Sequence, residues 1–271
     1  MTSFSQDLYV SHSQIFTYQS CSLKYRFHYV ERRKPERLSI ALPFGKATHS
    51  AEELFYRSFK TGRNKEPLNA LLEKFEAVLR LSLEKNAGTP VIWKKNMPDE
   101  AGAIAMGKSM LTVFYETIDL SGYAVVEVEL PLSARLYTDD GLPTEFMLVG
   151  ILDLLLMDEN SEAVVVDNKT AAQTMSQKAA DENLQMSAYA YLLAANKYVF
   201  PLAPVKCRFD VLRKLKTPKL EIVQTVRTAQ DRKRFAKIAN AVLEGIDAGI
   251  YMPQPNWMCS DCAYSDACRA W

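Results

Sequence analysis

Two acids and a lysine stand where charge is expensive. Asp153 interrupts an apolar run, residues 146–157 (Phe-Met-Leu-Val-Gly-Ile-Leu-Asp-Leu-Leu-Leu-Met). Such a run reads as a buried central strand. An unpaired carboxylate inside it is costly, so Asp153 must be paired, protonated or bound to a cation. Asp167-Asn168-Lys169 closes the next β-branched run, residues 163–169. Two adjacent strands, each presenting a carboxylate near its end, can bring both to one hard divalent ion, which takes oxygen ligands. Lys169 lies two residues past Asp167 and shares its strand face. There it could reach a water or a phosphate. Taken singly, each piece has an ordinary explanation: a salt bridge or sheet edge for Asp153, a solvated strand end for Asp-x-Lys.

The cysteines form a second constellation. Cys259-x2-Cys262-x5-Cys268 is compact and C-terminal, and Cys21 is the distant fourth. A CxxC turn places two thiolates on one metal. By spacing alone, four cysteines read equally well as a structural zinc site or an iron–sulfur site, with reduced thiols a third reading. Cys207 sits in an alternating apolar stretch and reads as an ordinary buried cysteine.

The elements that must carry these groups follow from periodicity. Ser11-His12-Ser13-Gln14 fits a capping box, followed by Ile15, Tyr18, Ser22, Tyr25 and Tyr29 at helical spacing. Residues 31–43 read as a loop, and a helix starts near Phe44. Residues 66–86 and 98–118 read as helices, broken near Gly88-Thr89-Pro90. Period-two alternation predicts a strand over 123–132. Strands at 146–157 and 163–169, a helix at 182–196, strands at 205–213 and 219–227 and a helix at 229–248 complete the order. The tail from Pro253 reads as a cysteine-bearing loop. This is an α/β chain around one central sheet. Residues 62–118 read as a helical insertion in a single domain of residues 1–271, and residues 253–271 as a cysteine-rich end segment.

Gly150-x-x-Asp153 followed by Asp167-Asn168-Lys169-Thr170 resembles the core of PD-(D/E)XK nucleases, and within them the RecB/AddB-like branch that includes CRISPR-adaptation nucleases. Gly45-x-x-x-His49 and Gln185-x-x-x-Tyr189 are similar to two further motifs of that branch, and Cys21 with the C-terminal Cx2Cx5C to its four-cysteine staple. The resemblance spans nearly the whole chain. It implies a restriction-endonuclease-like core, a central mixed sheet flanked by helices. It implies that His49, Asp153, Asp167 and the main-chain carbonyl of Asn168 hold Mg2+ or Mn2+. Lys169 would orient water or offset phosphate charge, and Gln185 and Tyr189 would position DNA. Cys21, Cys259, Cys262 and Cys268 would hold a structural 4Fe–4S cluster, with zinc the lesser alternative. The implied activity is exonucleolytic hydrolysis of DNA, single-stranded or end-containing duplex, in repair, recombination or phage- or CRISPR-related processing. A helicase or recombination protein is an expected partner. The alternative is a non-catalytic DNA-binding subunit of a helicase–nuclease complex. Where the branch often has tyrosine before the lysine, this chain has Asn168. Glu127 and Glu129 could add a carboxylate, although a solvated strand face is the commoner explanation.

Net charge is +1 over 271 residues, so any nucleic-acid signal must be local. Three local basic groups stand out: 206–219, 227–237, and Arg32, Arg33, Lys34 and Arg37. They suit phosphate contacts, although a charge run is more often a solvated face. Tyr25, Phe27 and Tyr29 interleave with Lys24, Arg26 and Arg32, as in a stacking platform, with core packing the better explanation. No phosphate-binding loop is present, so unwinding falls to a partner. No apolar run approaches the roughly 20 residues of a membrane span. Met1 to Val10 lacks a secretory pattern, and the expected compartment is the cytoplasm.

Overall fold

The computed structural model describes residues 8–62, 65–138 and 140–271. Most of the segment read for a leader, and residues 63 and 64 of the 62–118 stretch, therefore lie outside the described residues. The frame is one long hairpin. Strand β4 (Tyr123–Tyr137) pairs antiparallel with β5 (Pro143–Asp158). The other edge of β5 is shared by two strands. β1 (Tyr9–Ser11) runs parallel to Met147–Val149, and β6 (Ala163–Ala171) runs antiparallel to Leu154–Met157. The sheet continues through β7 (Val205–Arg213), parallel to β6, and β8 (Lys219–Arg227), antiparallel to β7. A mixed sheet results, as the alternating α/β order predicts.

Helices cover both faces. One face packs α1 (His12–Ser20), α7 (Leu184–Ala195) and α8 (Ala229–Asp247) over Leu152, Leu155, Val165 and Phe209. The other packs α3 (Ala41–Lys60), α4 (Leu68–Glu84) and α5 (Glu100–Thr117) over Leu154, Leu156, Val164 and Val166. α4 and α5 approach closely because Gly107 leaves room: a Cβ there would sit 2.0 Å from Phe75 Cζ. A two-stranded parallel pair, β2 (Leu38–Ser39) with β3 (Val91–Ile92), joins the loop before α3 to the segment between α4 and α5. Among the described residues no helix is long and apolar enough to cross a membrane.

The N-terminal helix departs from its periodicity. The capping box forms as expected, with Ser11 as N-cap and Gln14 reaching back. The helix then breaks at Cys21, whose backbone is extended (φ −166°, ψ 104°). The chain resumes as α2 (Ser22–Tyr25) and a π-helical turn, Arg26–Val30. The break lets the Cys21 sulfur accept from the Lys24 N–H (3.5 Å). It also lets the chain meet the C-terminal segment, where Leu23 N–H donates to Met252 O (3.1 Å). Two further short helices, α6 (Gln177–Asp181) and α9 (Ser265–Arg269), were not indicated by periodicity.

Candidate active site

The hairpin deforms where its acids sit. Leu130 pairs with Leu152, and Val128 with Leu154, which sets Glu129 opposite Asp153. Glu129 has φ +52°, a left-handed conformation uncommon for a residue with a side chain. Leu152 packs on the α7 side and Leu154 on the α3 side, so the alternation of β5 reverses across Asp153. Strain of this kind survives only where its surroundings enforce it. Its result is a group of three ligating side chains: one ligand atom from each of His49, Glu129 and Asp153 lies within 4.8 Å of the others.

His49 comes from α3, one turn after Gly45. Its Nδ1 is 3.4 Å from Asp153 Oδ2. That oxygen also accepts from the Asn168 N–H (2.9 Å), tying β6 to the same point. Burial holds the His49 pKa below its ordinary value, with Asp153 opposing, so the imidazole is neutral and suited to a metal. Burial and then Asp153 push the Glu129 carboxyl up to about 7. A cleft lined by Gly45, His49, Glu53, Glu129, Ile151 and Asp153 opens onto the group. A Cβ at Gly45 would meet nothing within 4 Å, so the glycine leaves this rim clear.

Asp167 lies outside that trio. It is fully buried on the α7 side of β6, where Lys169 Nζ is 2.6 Å from Oδ2 and Gln185 Nε2 donates to Oδ1 (2.7 Å). Lys169 also donates to Gln185 Oε1 (2.9 Å), and Gln185 Nε2 donates to the Tyr189 hydroxyl (2.8 Å). The four residues form one closed polar chain. Asp167 Oδ2 meets Lys169 at ion-pair distance but lacks a well-angled hydrogen bond. Burial pushes the Asp167 carboxyl up to about 7 despite Lys169. Gly150 lets α7 close on the sheet, since a Cβ there would lie 2.8 Å from Leu192 Cδ1. Behind the site, Glu52 is fully buried with Oε2 unpartnered, and burial followed by Asp153 raises its pKa well above the ordinary value.

These observations fit a divalent cation. A neutral histidine and two carboxylates converge, and a buried carboxylate stands beside them facing an ammonium. Glu129 is the residue that sequence reasoning undervalued. Counting back from the turn pair Tyr137–Pro143 would have set it opposite Ile151, and only the register shift between Arg135 and Tyr137 brings it opposite Asp153.

The four cysteines also meet in space. Cys21, Cys259, Cys262 and Cys268 line one cavity of about 210 Å3. Cys21, Cys262 and Cys268 pack against the buried trio Leu23, Phe27 and Tyr264. Burial, then Cys21, Cys262 and Cys259, raise the Cys268 thiol pKa, as expected for neighbouring sulfurs. The segment is anchored by Glu36, which accepts from the Asp266 and Ala267 N–H groups, by the Lys94–Asp261 ion pair, and by Tyr264 OH at 2.8 Å from His28 Nδ1. Cys207 is buried in β7, as expected.

Within the basic groups, four arginines turn inward, while Arg32, Arg33, Lys34, Lys233, Arg234 and Lys237 stay exposed. Arg208 is buried against Asp210 (2.6 Å), and Arg213 pairs with Glu221 (2.7 Å). Arg227 is buried with its guanidinium on Ser187, Thr225 and the carbonyls of Ala180 and Asn183. Arg232 bonds the carbonyls of Ala203 and Pro201. These arginines hold strands and helices together. Tyr25 and Phe27 are likewise buried in the cores.

Comparison with known proteins agrees with this geometry. A family profile described as the PD-(D/E)XK nuclease superfamily matches residues 9–269. A crystal structure of a protein from Eubacterium rectale, provisionally named an exonuclease, superposes with a TM-score of 0.57 at 13% identity, covering 97% of this chain and 88% of that one. It shares the fold. A solved structure called SSO0001 aligns over 94% of this chain and 97% of its own at 14% identity, with a TM-score of 0.32, too low to bear on the fold. No match to a curated protein was found. With its mixed sheet flanked by helices and a profile match over nearly its full length, the chain belongs to the PD-(D/E)XK nuclease superfamily.

Proposed function

We propose that the protein is a metal-dependent deoxyribonuclease of the RecB/AddB-like branch, acting as an exonuclease at DNA ends. The observation that carries this reading is the convergence of His49, Glu129 and Asp153 beside the Lys169–Asp167–Gln185–Tyr189 chain. His49, Glu129 and Asp153 would hold Mg2+ or Mn2+, with Asp167 and the Asn168 carbonyl completing the set. The cation would supply Lewis-acid polarisation of a phosphodiester. Lys169 places a positive charge where negative charge develops on the phosphate. Gln185 holds that ammonium from the α7 side, and Tyr189 fixes the Gln185 amide. The DNA partner follows from the superfamily, and strand separation falls to a helicase or recombination protein.

The C-terminal segment, residues 253–271, would carry a 4Fe–4S cluster on Cys21, Cys259, Cys262 and Cys268. Four thiolates suit either metal, and the resemblance to the four-cysteine staple is what favours the larger cluster over a single zinc. In the same reading, residues 62–118 are a helical insertion buttressing α3. The test is release of acid-soluble nucleotides from linear DNA with Mg2+ or Mn2+. Activity that EDTA abolishes, with closed circular DNA left intact, is expected. Absence of cleavage with either metal, from folded protein, would leave a non-catalytic DNA-binding subunit.

A further inference from the structure

The sheet forks beside the metal cleft. Between the last β1 pairing (Ser11↔Val149) and the first β6 pairing (Leu154↔Val166), residues 150–153 of β5 have β4 on one side. Among the described residues no strand occupies the other side. β1 runs directly into α1 along one limb of the fork. β6 carries Asp167 and Lys169 along the other, and α7 covers the opening. A cavity of about 620 Å3 fills the fork, lined by His12, Ser13, Ser133, Gln185, Tyr189 and Leu192 among others. Ile151, 54% exposed, lines both this cavity and the metal cleft, so the two adjoin at that side chain.

His12 is the first residue of α1, held there by the Ser11–Gln14 capping box. Its ring stacks on Phe16, with centroids 6.1 Å apart, and finds no hydrogen-bond partner among the described residues. Burial, and then the Lys169 ammonium, push its pKa down to about 4. The ring is therefore neutral at pH 7, with one N–H free to donate, and it shares its surroundings with Lys169.

We propose that this cavity seats the nucleotide next to the scissile phosphate in an unpaired DNA strand, and that His12 is a substrate-binding residue touching that nucleotide's phosphate. The proposal rests on the nuclease reading above. A strand leaving the metal cleft crosses Ile151 into the fork. The volume lies in the range of small-molecule sites and is ample for one nucleotide. Leu192, Val149 and Pro131 offer apolar contact to sugar and base, while His12, Ser13 and Ser133 put donors on the rim. The N-terminus of α1, whose Gln14 N–H is already capped by Ser11 Oγ, adds its dipole to the attraction for an anion.

The test compares wild type, His12→Ala and His12→Asn on single-stranded oligonucleotides in which one phosphate at a time is a neutral methylphosphonate. A hydrogen bond to a charged group supports a loss of roughly 10-fold or more. His12→Ala should raise KM about 10-fold on unmodified DNA, with kcat within about 3-fold, and His12→Asn should recover part of the loss. A methylphosphonate beside the scissile position should cost the wild type a similar factor and His12→Ala almost nothing more, because contacting groups are non-additive. Additive losses, or an unchanged KM in His12→Ala, would overturn the proposal, as would blunt duplex cleaved as fast as single strands. The same series is read as binding affinity with Ca2+ in place of Mg2+. A wild type that binds but never cleaves would sink the nuclease reading while still deciding the His12 contact.

Discussion

Divalent cation binding to the His49–Glu129–Asp153 group should weaken steeply between pH 8 and pH 6. Burial pushes the carboxyls of Glu129 and Asp167 up to about 7 in the metal-free protein, Asp153 adding to the first and Lys169 opposing the second. A cation must displace the proton from any carboxyl that it engages or faces closely. A group with a pKa near 7 is roughly one-tenth protonated at pH 8 and roughly nine-tenths at pH 6, so each lowers apparent affinity about 10-fold across that interval. Glu129 alone gives about 10-fold, and both carboxyls together give about 100-fold. Burial lowers the His49 pKa, with Asp153 opposing, so protons compete for this ligand less than for an ordinary imidazole. The same groups shape the stability of the metal-free protein. Their folded pKa values exceed the unfolded ones, so their contribution is full at pH below about 4 and is lost as pH rises through about 7. Mn2+ titration calorimetry at pH 6, 7 and 8, in buffers of different ionisation enthalpy, measures both affinity and protons released. Equal affinity at pH 6 and pH 8, or no proton release at pH 6, would refute the reasoning.

Three further outcomes are expected. Glu129→Gln should weaken Mn2+ binding at pH 8 by at least about 10-fold and flatten its pH dependence, as calorimetry would show. Gly150→Val should drive side-chain atoms into Leu192, where a Cβ would already sit 2.8 Å from Cδ1. Overpacking of this kind costs about 1–3 kcal/mol, read as a lower urea midpoint, and kcat should fall because α7 carries Gln185 and Tyr189. Cys21→Ser should strip iron and sulfide from anaerobically purified protein and lower its melting temperature, since Cys21 joins the N-terminal break to the tail. Stoichiometric zinc in place of iron in the wild type would contradict the cluster assignment.

Much of the frame was readable because burial follows period. The alternation at 123–132 and the apolar run at 146–157 are the cores of β4 and β5, although both strands extend further into the hairpin turn. The strands at 205–213 and 219–227 fall where predicted. What periodicity hides is geometry set by tertiary contact. The break at Cys21 has no propensity signal, because it follows from the sulfur turning toward a segment more than two hundred residues away. β1, three residues long, exists only because β5 offers an edge. Glu129 looked like one half of a solvated alternation with Glu127. Only its left-handed backbone and its place opposite Asp153 separate it from Glu127, which pairs with Lys60 at the surface. The basic runs hide a similar split: Arg208, Arg213, Arg227 and Arg232 spend their charge and donors inside the fold, while their neighbours Lys216, Lys219, Lys233 and Arg234 face solvent. The Gln185–Tyr189 spacing predicted one helix face correctly, but not that Gln185 would link Lys169 to Asp167.

The most direct measurement is degradation of end-labelled single- and double-stranded DNA by anaerobically purified protein with Mg2+ or Mn2+, beside Lys169→Ala. Metal-dependent loss of label by the wild type is predicted, with the variant reduced by at least about 100-fold while still binding Mn2+. Cleavage that persists unchanged in Lys169→Ala, or no cleavage by folded wild-type protein with its cluster intact, would contradict the account.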